Sequence, residues 1–176
     1  MRARPAAALA AALAAALLVP APAGAILVRH DRTDARYVEL GARYPAVCRV
    51  LTRLGAGRDL SGEGTLIRPG WVATAAHVVQ SPLLRSGRRV VVCGGVEYGI
   101  AREVSHPRWS RGALRNDVAL IRLDREVRGI RPVPEYTGRD EAGKVAVFVG
   151  AGLTGTGLTG PRVRDTTVRG ATNRIE

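Results

Sequence analysis

From Tyr44 onward, the sequence consists of short runs rich in Val, Ile, Leu and Thr that are separated by Gly, Pro, Asp and Arg. Such runs between turn-forming residues are typical of antiparallel strands. The candidate strands are residues 46–54, 61–67, 71–74, 89–93, 98–104, 118–123 and 144–149. A helical pattern is confined to a short stretch at 75–79 and to residues 34–40, which Gly41 closes. The sequence therefore predicts an all-β fold.

Residues 126–143 separate two β units. This stretch has no alternation of apolar and polar residues, and it carries two prolines and many charges. It predicts a linker between a first β-barrel at residues 26–125 and the start of an incomplete second barrel at residues 144–176. After the linker, one clear strand is followed by a Gly/Thr-rich segment and a short apolar run near 166–169.

The first 25 residues have the pattern of a signal peptide. Arg2 and Arg4 precede an uncharged apolar run at 6–19, and residues 23–25 form an A-x-A cleavage site. A membrane anchor is the alternative, but the run has about fourteen residues where roughly 20 are needed to cross a bilayer. We therefore expect a secreted chain that begins near Ile26 and is not bound to a membrane after cleavage.

The net charge of +12 is a weak indication of function. Lys144 is the one lysine, and the arginines that make up the rest of the positive charge are spread along the chain without a dense run. Aromatic residues make up 4% of the chain and do not alternate with basic ones. Stacking of bases on aromatic side chains is thus not indicated, and we expect no nucleic-acid partner.

Cys48 and Cys93 are the two cysteines. Export permits a disulfide between them. The alternative is that they are two buried apolar side chains that never meet, because the sequence does not give their separation. Two cysteines without a nearby histidine pair do not indicate a metal site. A G-x-G-x-x-G pattern at 150–155 is typical of nucleotide binding, but Gly and Pro at 157–161 argue against the helix it requires, so no cofactor is expected.

Two short motifs can place a histidine beside a carboxylate. In WVATAAH, three small residues precede His77 after a β run, so the imidazole can project from the end of a strand. In NDVALIRL, Asp117 stands at the start of a strand. A carboxylate in that place can accept the Nδ1–H of the histidine, fix its tautomer and stabilise the imidazolium.

Together with their flanking residues, these motifs resemble the chymotrypsin/trypsin-like serine proteases of the secreted, bacterial type. The resemblance spans residues 44–157 and rests on GEGTLI at 62–67, WVATAAH at 71–77, HP at 106–107, NDVALIRL at 116–123 and VGAG at 149–152. It implies an antiparallel six-stranded β-barrel of the trypsin-like double-barrel fold, with the second barrel only partly present. It also implies that His77 is the general base and that Asp117 orients it. Val78 departs from the pattern, because many animal members have a cysteine there.

The family's nucleophile, a serine in G-D-S-G-G, is not found. All serines lie before residue 117, and none has that context; they are Ser61, Ser81, Ser86, Ser105 and Ser110. Double-barrel β enzymes run about 200–250 residues, so we expect that the sequence ends before the second barrel is complete and that this chain alone is inactive. The alternative is a complete, secreted and non-catalytic relative that acts as a binding or adhesive protein.

The resemblance thus predicts a secreted serine endopeptidase that hydrolyses peptide bonds through a His-Asp-Ser triad. His77 and Asp117 supply two of the three groups, and no nucleophile is assigned in this chain. The substrate is expected to be a protein or peptide, and the enzyme is expected to be a monomer.

Overall fold

The computed structural model of the chain describes residues 26–54, 59–81 and 87–176. The predicted signal peptide at 1–25 lies outside these residues. The described helices are α1 (Asp34–Ala42) and α2 (Ala76–Gln80). The described strands are β1 (Ile26–Val28), β2 (Val47–Arg53), β3 (Asp59–Arg68), β4 (Trp71–Thr74), β5 (Arg88–Cys93), β6 (Val96–Ser105), β7 (Ala119–Leu123), β8 (Val145–Thr156) and β9 (Gly160–Arg174). Neither described helix is long and apolar enough to span a bilayer.

Six strands form a closed antiparallel barrel in the order β2-β3-β4-β7-β6-β5. Buried and more exposed residues alternate along strands such as β3 and β7, and the buried residues of the barrel are mostly Val, Leu and Ile. Leu66, Val72, Val91 and Ile121 are completely buried in this core. The structure confirms the prediction of a six-stranded antiparallel barrel.

Cys48 and Cys93 form a disulfide in the barrel. They are directly opposite each other in the antiparallel pairing of β2 with β5, and their Cα atoms are 4.5 Å apart. Both residues are buried. Of the two possibilities that the sequence left open, the structure therefore shows the bridge.

The remaining strands form a second sheet in the order β1-β8-β9. β8 pairs antiparallel with β9 along nearly its whole length, so the Gly/Thr-rich segment belongs to a strand that is longer than the predicted 144–149. The glycines of this segment lie within the strand. The register of the β8–β9 pairing shifts between Gly150 and Gly152 and again between Thr154 and Gly155. This local prediction was too short because it followed apolar residues alone.

The N-terminal strand β1 lies in the second sheet and not in the barrel, while the domain division at residues 26–125 stays a prediction. β1 pairs in parallel with β8, with Ile26 opposite Thr154 and Val28 opposite Thr156. Without β1, backbone N–H and C=O groups along this edge of β8 would have no partner in the sheet. Pairing with β1 satisfies them. Residues 26–28 therefore belong to the second sheet.

Helix α1 packs on β9 through Leu40 and Gly41, and an arginine adds a polar link between the two elements. The guanidinium of Arg169 on β9 contacts both carboxylate oxygens of Asp34, at 2.7 and 2.9 Å, and both of Asp165, at 2.8 and 3.0 Å. The Arg169 side chain is almost wholly buried. Paired carboxylates of this kind compensate for the loss of hydration of a buried guanidinium.

The segment 126–143 has no regular secondary structure, and its first part is tied to the barrel. Val127 is buried, and its N–H donates to the carbonyl of Pro69 at 2.7 Å. The N–H of Val133 donates to the carbonyl of Leu66 at 2.9 Å. These bonds fix the path along which the chain leaves the barrel for β8.

Candidate active site

Strand pairing brings His77 and Asp117 together although they are 40 residues apart in the chain. β4 and β7 are antiparallel neighbours, and Thr74 at the end of β4 is opposite Ala119 at the start of β7. His77 follows Thr74 by three residues and Asp117 precedes Ala119 by two. Both side chains therefore lie at the same rim of the barrel.

The carboxylate of Asp117 contacts His77 twice. Its Oδ2 lies 2.6 Å from Nδ1 of the imidazole, and its Oδ1 accepts the backbone N–H of His77 at 2.8 Å. The Asp117 side chain is 27% exposed, whereas that of His77 is 60% exposed. An ionised carboxylate can only accept, so Nδ1 carries the hydrogen and Nε2 of the neutral ring has its lone pair available.

The pKa of Asp117 lies below its usual value. Partial burial is the largest single influence and acts to raise it. The hydrogen bonds from the His77 ring, the His77 N–H and the Ala76 N–H, with the charge of the imidazole, together outweigh that effect. Asp117 is therefore held as the carboxylate that a histidine partner requires.

Asn116 directly precedes Asp117, and the sequence motifs assign it no separate role. Its backbone is left-handed, with φ of 55°, a conformation that asparagine tolerates better than most residues. Its side-chain Nδ2 donates to the carbonyl of Arg108 at 2.8 Å. An asparagine directly before a candidate catalytic residue is the signal that could have suggested a left-handed turn.

Two arginines support α2, the helix that carries His77. Arg111 donates to the carbonyl of Gln80 at 2.7 Å, and Arg89 donates to that of Val79 at 3.4 Å. Carbonyls at a helix end have no partner within the helix, and cations are favourable there. Arg89 also forms an ion pair with Glu103 on β6. The short helix is thereby held at both ends, by Asp117 and by these arginines.

A cleft of about 890 Å³ separates the barrel rim from β8 and β9. His77 and Glu63 line it from the barrel, and Ala151, Leu153 and Asp165 line it from the second sheet. The residues at 150–155 belong to β8, so the G-x-G-x-x-G pattern does not begin a helix. Within the described ranges, no cluster of three or more His, Cys, Asp or Glu is suited to holding a metal ion.

The family model described as trypsin matches residues 45–175. The chain is similar to granzyme M of Homo sapiens, with 36% identity over 108 residues that make up 56% of this chain and 42% of that protein. It is also similar to serine protease SP24D of Anopheles gambiae, with 36% identity over 107 residues, covering 54% of this chain and 39% of the relative.

A solved structure supports the fold. HL collagenase superposes with a TM-score of 0.61 at 22% identity, covering 86% of this chain and 64% of that one. The matched part of the chain spans less than half the length of granzyme M and of serine protease SP24D.

A closed antiparallel barrel with a His–Asp pair at its rim, followed by part of a second sheet, defines a protein of the trypsin-like fold. The chain belongs to the trypsin family.

Proposed function

We propose that the protein is a serine endopeptidase in which His77 is the general base and Asp117 orients it. The observation that carries this proposal is the 2.6 Å contact between Nδ1 of His77 and Oδ2 of Asp117 at the edge of the cleft. It leaves Nε2 available to take a proton from a serine hydroxyl. The same nitrogen then returns the proton to the leaving amine. The names of the relatives, which include a serine protease and a trypsin, support this reaction class.

The nucleophile comes from outside the 176 residues in this proposal, because Gly-Asp-Ser-Gly does not occur among them. The chain as given should therefore not hydrolyse peptides. The second candidate is a non-catalytic family member that binds proteins, and it would lack that motif in the whole protein. Translating the DNA downstream of codon 176 separates the two. The peptidase requires Gly-Asp-Ser-Gly-Gly within roughly 30–60 further residues, if the whole is a double barrel of about 200–250 residues.

The proton-transfer role is tested by mutation in the extended chain, which we define as residues 1–176 with the downstream reading frame. His77→Ala should slow fluorophosphonate labelling of the serine by orders of magnitude. Asp117→Asn should lower turnover about 10⁴-fold, as the corresponding change does in chymotrypsin-type enzymes. His30→Ala and Asp140→Asn, which change an exposed histidine and an exposed aspartate elsewhere, are the controls. Normal turnover in either site variant would refute the assignment.

The 176-residue chain permits a test without the nucleophile. At a pH at which the imidazole is neutral, nitrogen-15 spectra of the His77 ring should show its proton on Nδ1, because the partner of one ring nitrogen sets the tautomer. Asp117→Asn should shift the proton toward Nε2. An unchanged tautomer in that variant contradicts the proposed role of Asp117.

We further propose export, on the basis of the leader at residues 1–25. The Cys48–Cys93 bridge supports it, because structural disulfides persist in oxidising compartments. The secreted product should begin near Ile26 by N-terminal sequencing. Recovery of an uncleaved chain from the cell interior is the contrary result.

A further inference from the structure

Residues 62–63 of β3 contact both α2 and β4. The space that a side chain on Gly62 would need is taken by Val78 of α2, since a Cβ there would lie 2.7 Å from two Val78 methyl carbons. The backbone carbonyl of Glu63 accepts the hydroxyl of Thr74 at 2.6 Å. The segment that carries His77 therefore packs directly on this part of β3.

The Glu63 side chain reaches the second sheet. Its Oε1 accepts the backbone N–H of Ala151 on β8, a contact between residues 88 positions apart. The neighbouring Gly150 leaves room for the carboxylate, because a Cβ on Gly150 would lie 2.6 Å from Oε2, and its three nearest atoms would all belong to Glu63. The carboxylate fits a notch that this glycine provides.

We propose that Glu63 is a positioning residue: by accepting the Ala151 N–H, its carboxylate fixes β8, and with it the second sheet, at one orientation relative to the His77–Asp117 pair. The catalytic part of this inference rests on the proposed function, and the geometric part does not. One residue contacts the His77 segment through its backbone and the second sheet through its side chain, so it couples the two walls of the cleft.

The surroundings suit a carboxylate that acts through a hydrogen bond rather than as an exposed charge. Glu63 is half-buried, and burial raises its pKa, opposed by the Ala151 N–H and by the positive charge of Arg49. Arg49 is opposite Glu63 in the pairing of β2 with β3. His77 on α2 and Asp165 on β9 also line the cleft, and Asp165 is paired with Arg169.

The orientation is measured on the 176-residue chain by residual dipolar couplings of the barrel amides and of the β8–β9 amides. The native chain should give one alignment tensor for both groups. Glu63→Leu should give two different tensors and at least about tenfold faster exchange of the Ala151 amide. Glu63→Gln, which keeps an acceptor oxygen, should restore the single tensor. A single tensor in Glu63→Leu would overturn the proposal, even if that variant were less stable.

A second pair of variants tests the contact if Glu63→Leu fails to fold. Gly150→Ala should perturb the Ala151 amide in the native background, because its methyl group meets the carboxylate. It should have little further effect in a Glu63→Ala background, and this non-additivity is the signature of a direct contact. Gly157→Ala is the matched control, since a Cβ there has nothing within 4 Å. Equal effects of Gly150→Ala in both backgrounds would exclude the contact.

The catalytic consequence is measured in the extended chain. Glu63→Leu should lower kcat by roughly 10- to 100-fold with KM little changed, because a small displacement of reacting groups costs that much. Glu63→Gln should recover most of the loss. An unchanged kcat in an active extended chain would show that the contact is structural only. If the extended chain carries no activity at all, the proposed function fails, while the dipolar couplings still decide the orientation.

Discussion

The barrel and the second sheet bury their apolar side chains to different degrees. In the barrel, each of the six strands has two neighbours, and Leu66 and Ile121 are 0% exposed. In the second sheet, Val145 is 66% exposed and Phe148 is 52% exposed, although both lie on its central strand β8. Hydrophobic burial therefore stabilises the barrel far more than it stabilises the sheet.

Polar contacts take a larger part in holding the second sheet. Arg169 joins α1 to β9 through Asp34 and Asp165, and Glu63 joins β8 to the barrel. Such contacts are directional, and each contributes less than a buried apolar side chain. His77 and Asp117 thus lie on the well-packed barrel, while the opposite wall of the cleft, a long β8–β9 ladder, is linked to the barrel by polar contacts such as that of Glu63.

The largest predicted change in the free energy of unfolding concerns the disulfide, which lies in the barrel. Replacing both Cys48 and Cys93 by alanine should lower the free energy of unfolding of the barrel by about 4 kcal/mol, because in the chain-entropy model the bridge closes a long loop in the unfolded chain. Urea denaturation followed by the fluorescence of Trp71 and Trp109 measures this loss. Reducing agent added to the native chain is the matched control. A loss below about 1 kcal/mol would contradict the entropic account.

Two side-chain substitutions, one in the barrel core and one on β8, compare the apolar burial of the two regions directly. Leu66→Ala should lower the free energy of unfolding by about 2–5 kcal/mol, because it removes buried methyl groups and leaves a cavity in the barrel. Val147→Ala on β8, where the side chain is exposed, should change it by less than about 0.5 kcal/mol. The same urea titration measures both. Similar losses in the two variants would mean that Val147 is buried in solution.

Much of the barrel could be predicted from the sequence because each of its strands is indicated by a pattern of neighbouring residues. Inward residues alternate, and Gly, Pro and Asp mark the turns, so the predicted 71–74 coincides with β4 and the others end near the observed bounds. The meeting of His77 with Asp117 was also anticipated from two motifs. Their roles in a reaction stay predictions, as does the boundary at residue 126.

The contacts of the second sheet could not be predicted in this way. Glu63 and Ala151 are far apart in the chain, and neither has a neighbouring residue pattern that indicates its partner. Arg169 is one of many arginines, and its burial depends on Asp34, 135 residues away. The pairing of β1 with β8 is likewise set by an available strand edge rather than by its own three residues.

A further predicted effect, smaller than those of the disulfide and of Leu66→Ala, is confined to the attachment of α1. Arg169 holds the pKa of Asp34 and of Asp165 below the usual value, mainly through its hydrogen bonds to them. Their contribution to stability is therefore complete above the ordinary aspartate pKa of about 3.9, and it is lost as the pH falls through the lowered folded values.

Asp34→Asn should weaken the attachment by about 0.5–1 kcal/mol at neutral pH, a small value because Asp34 is half exposed. Hydrogen exchange should become faster in α1 and stay unchanged in the barrel, and the acid sensitivity of α1 should decrease. Asp31→Asn, which removes an exposed carboxylate that pairs with Arg29 instead, is the control. Faster exchange throughout the barrel in Asp34→Asn would show that the two regions unfold as one unit, and the contrast drawn between them would fail.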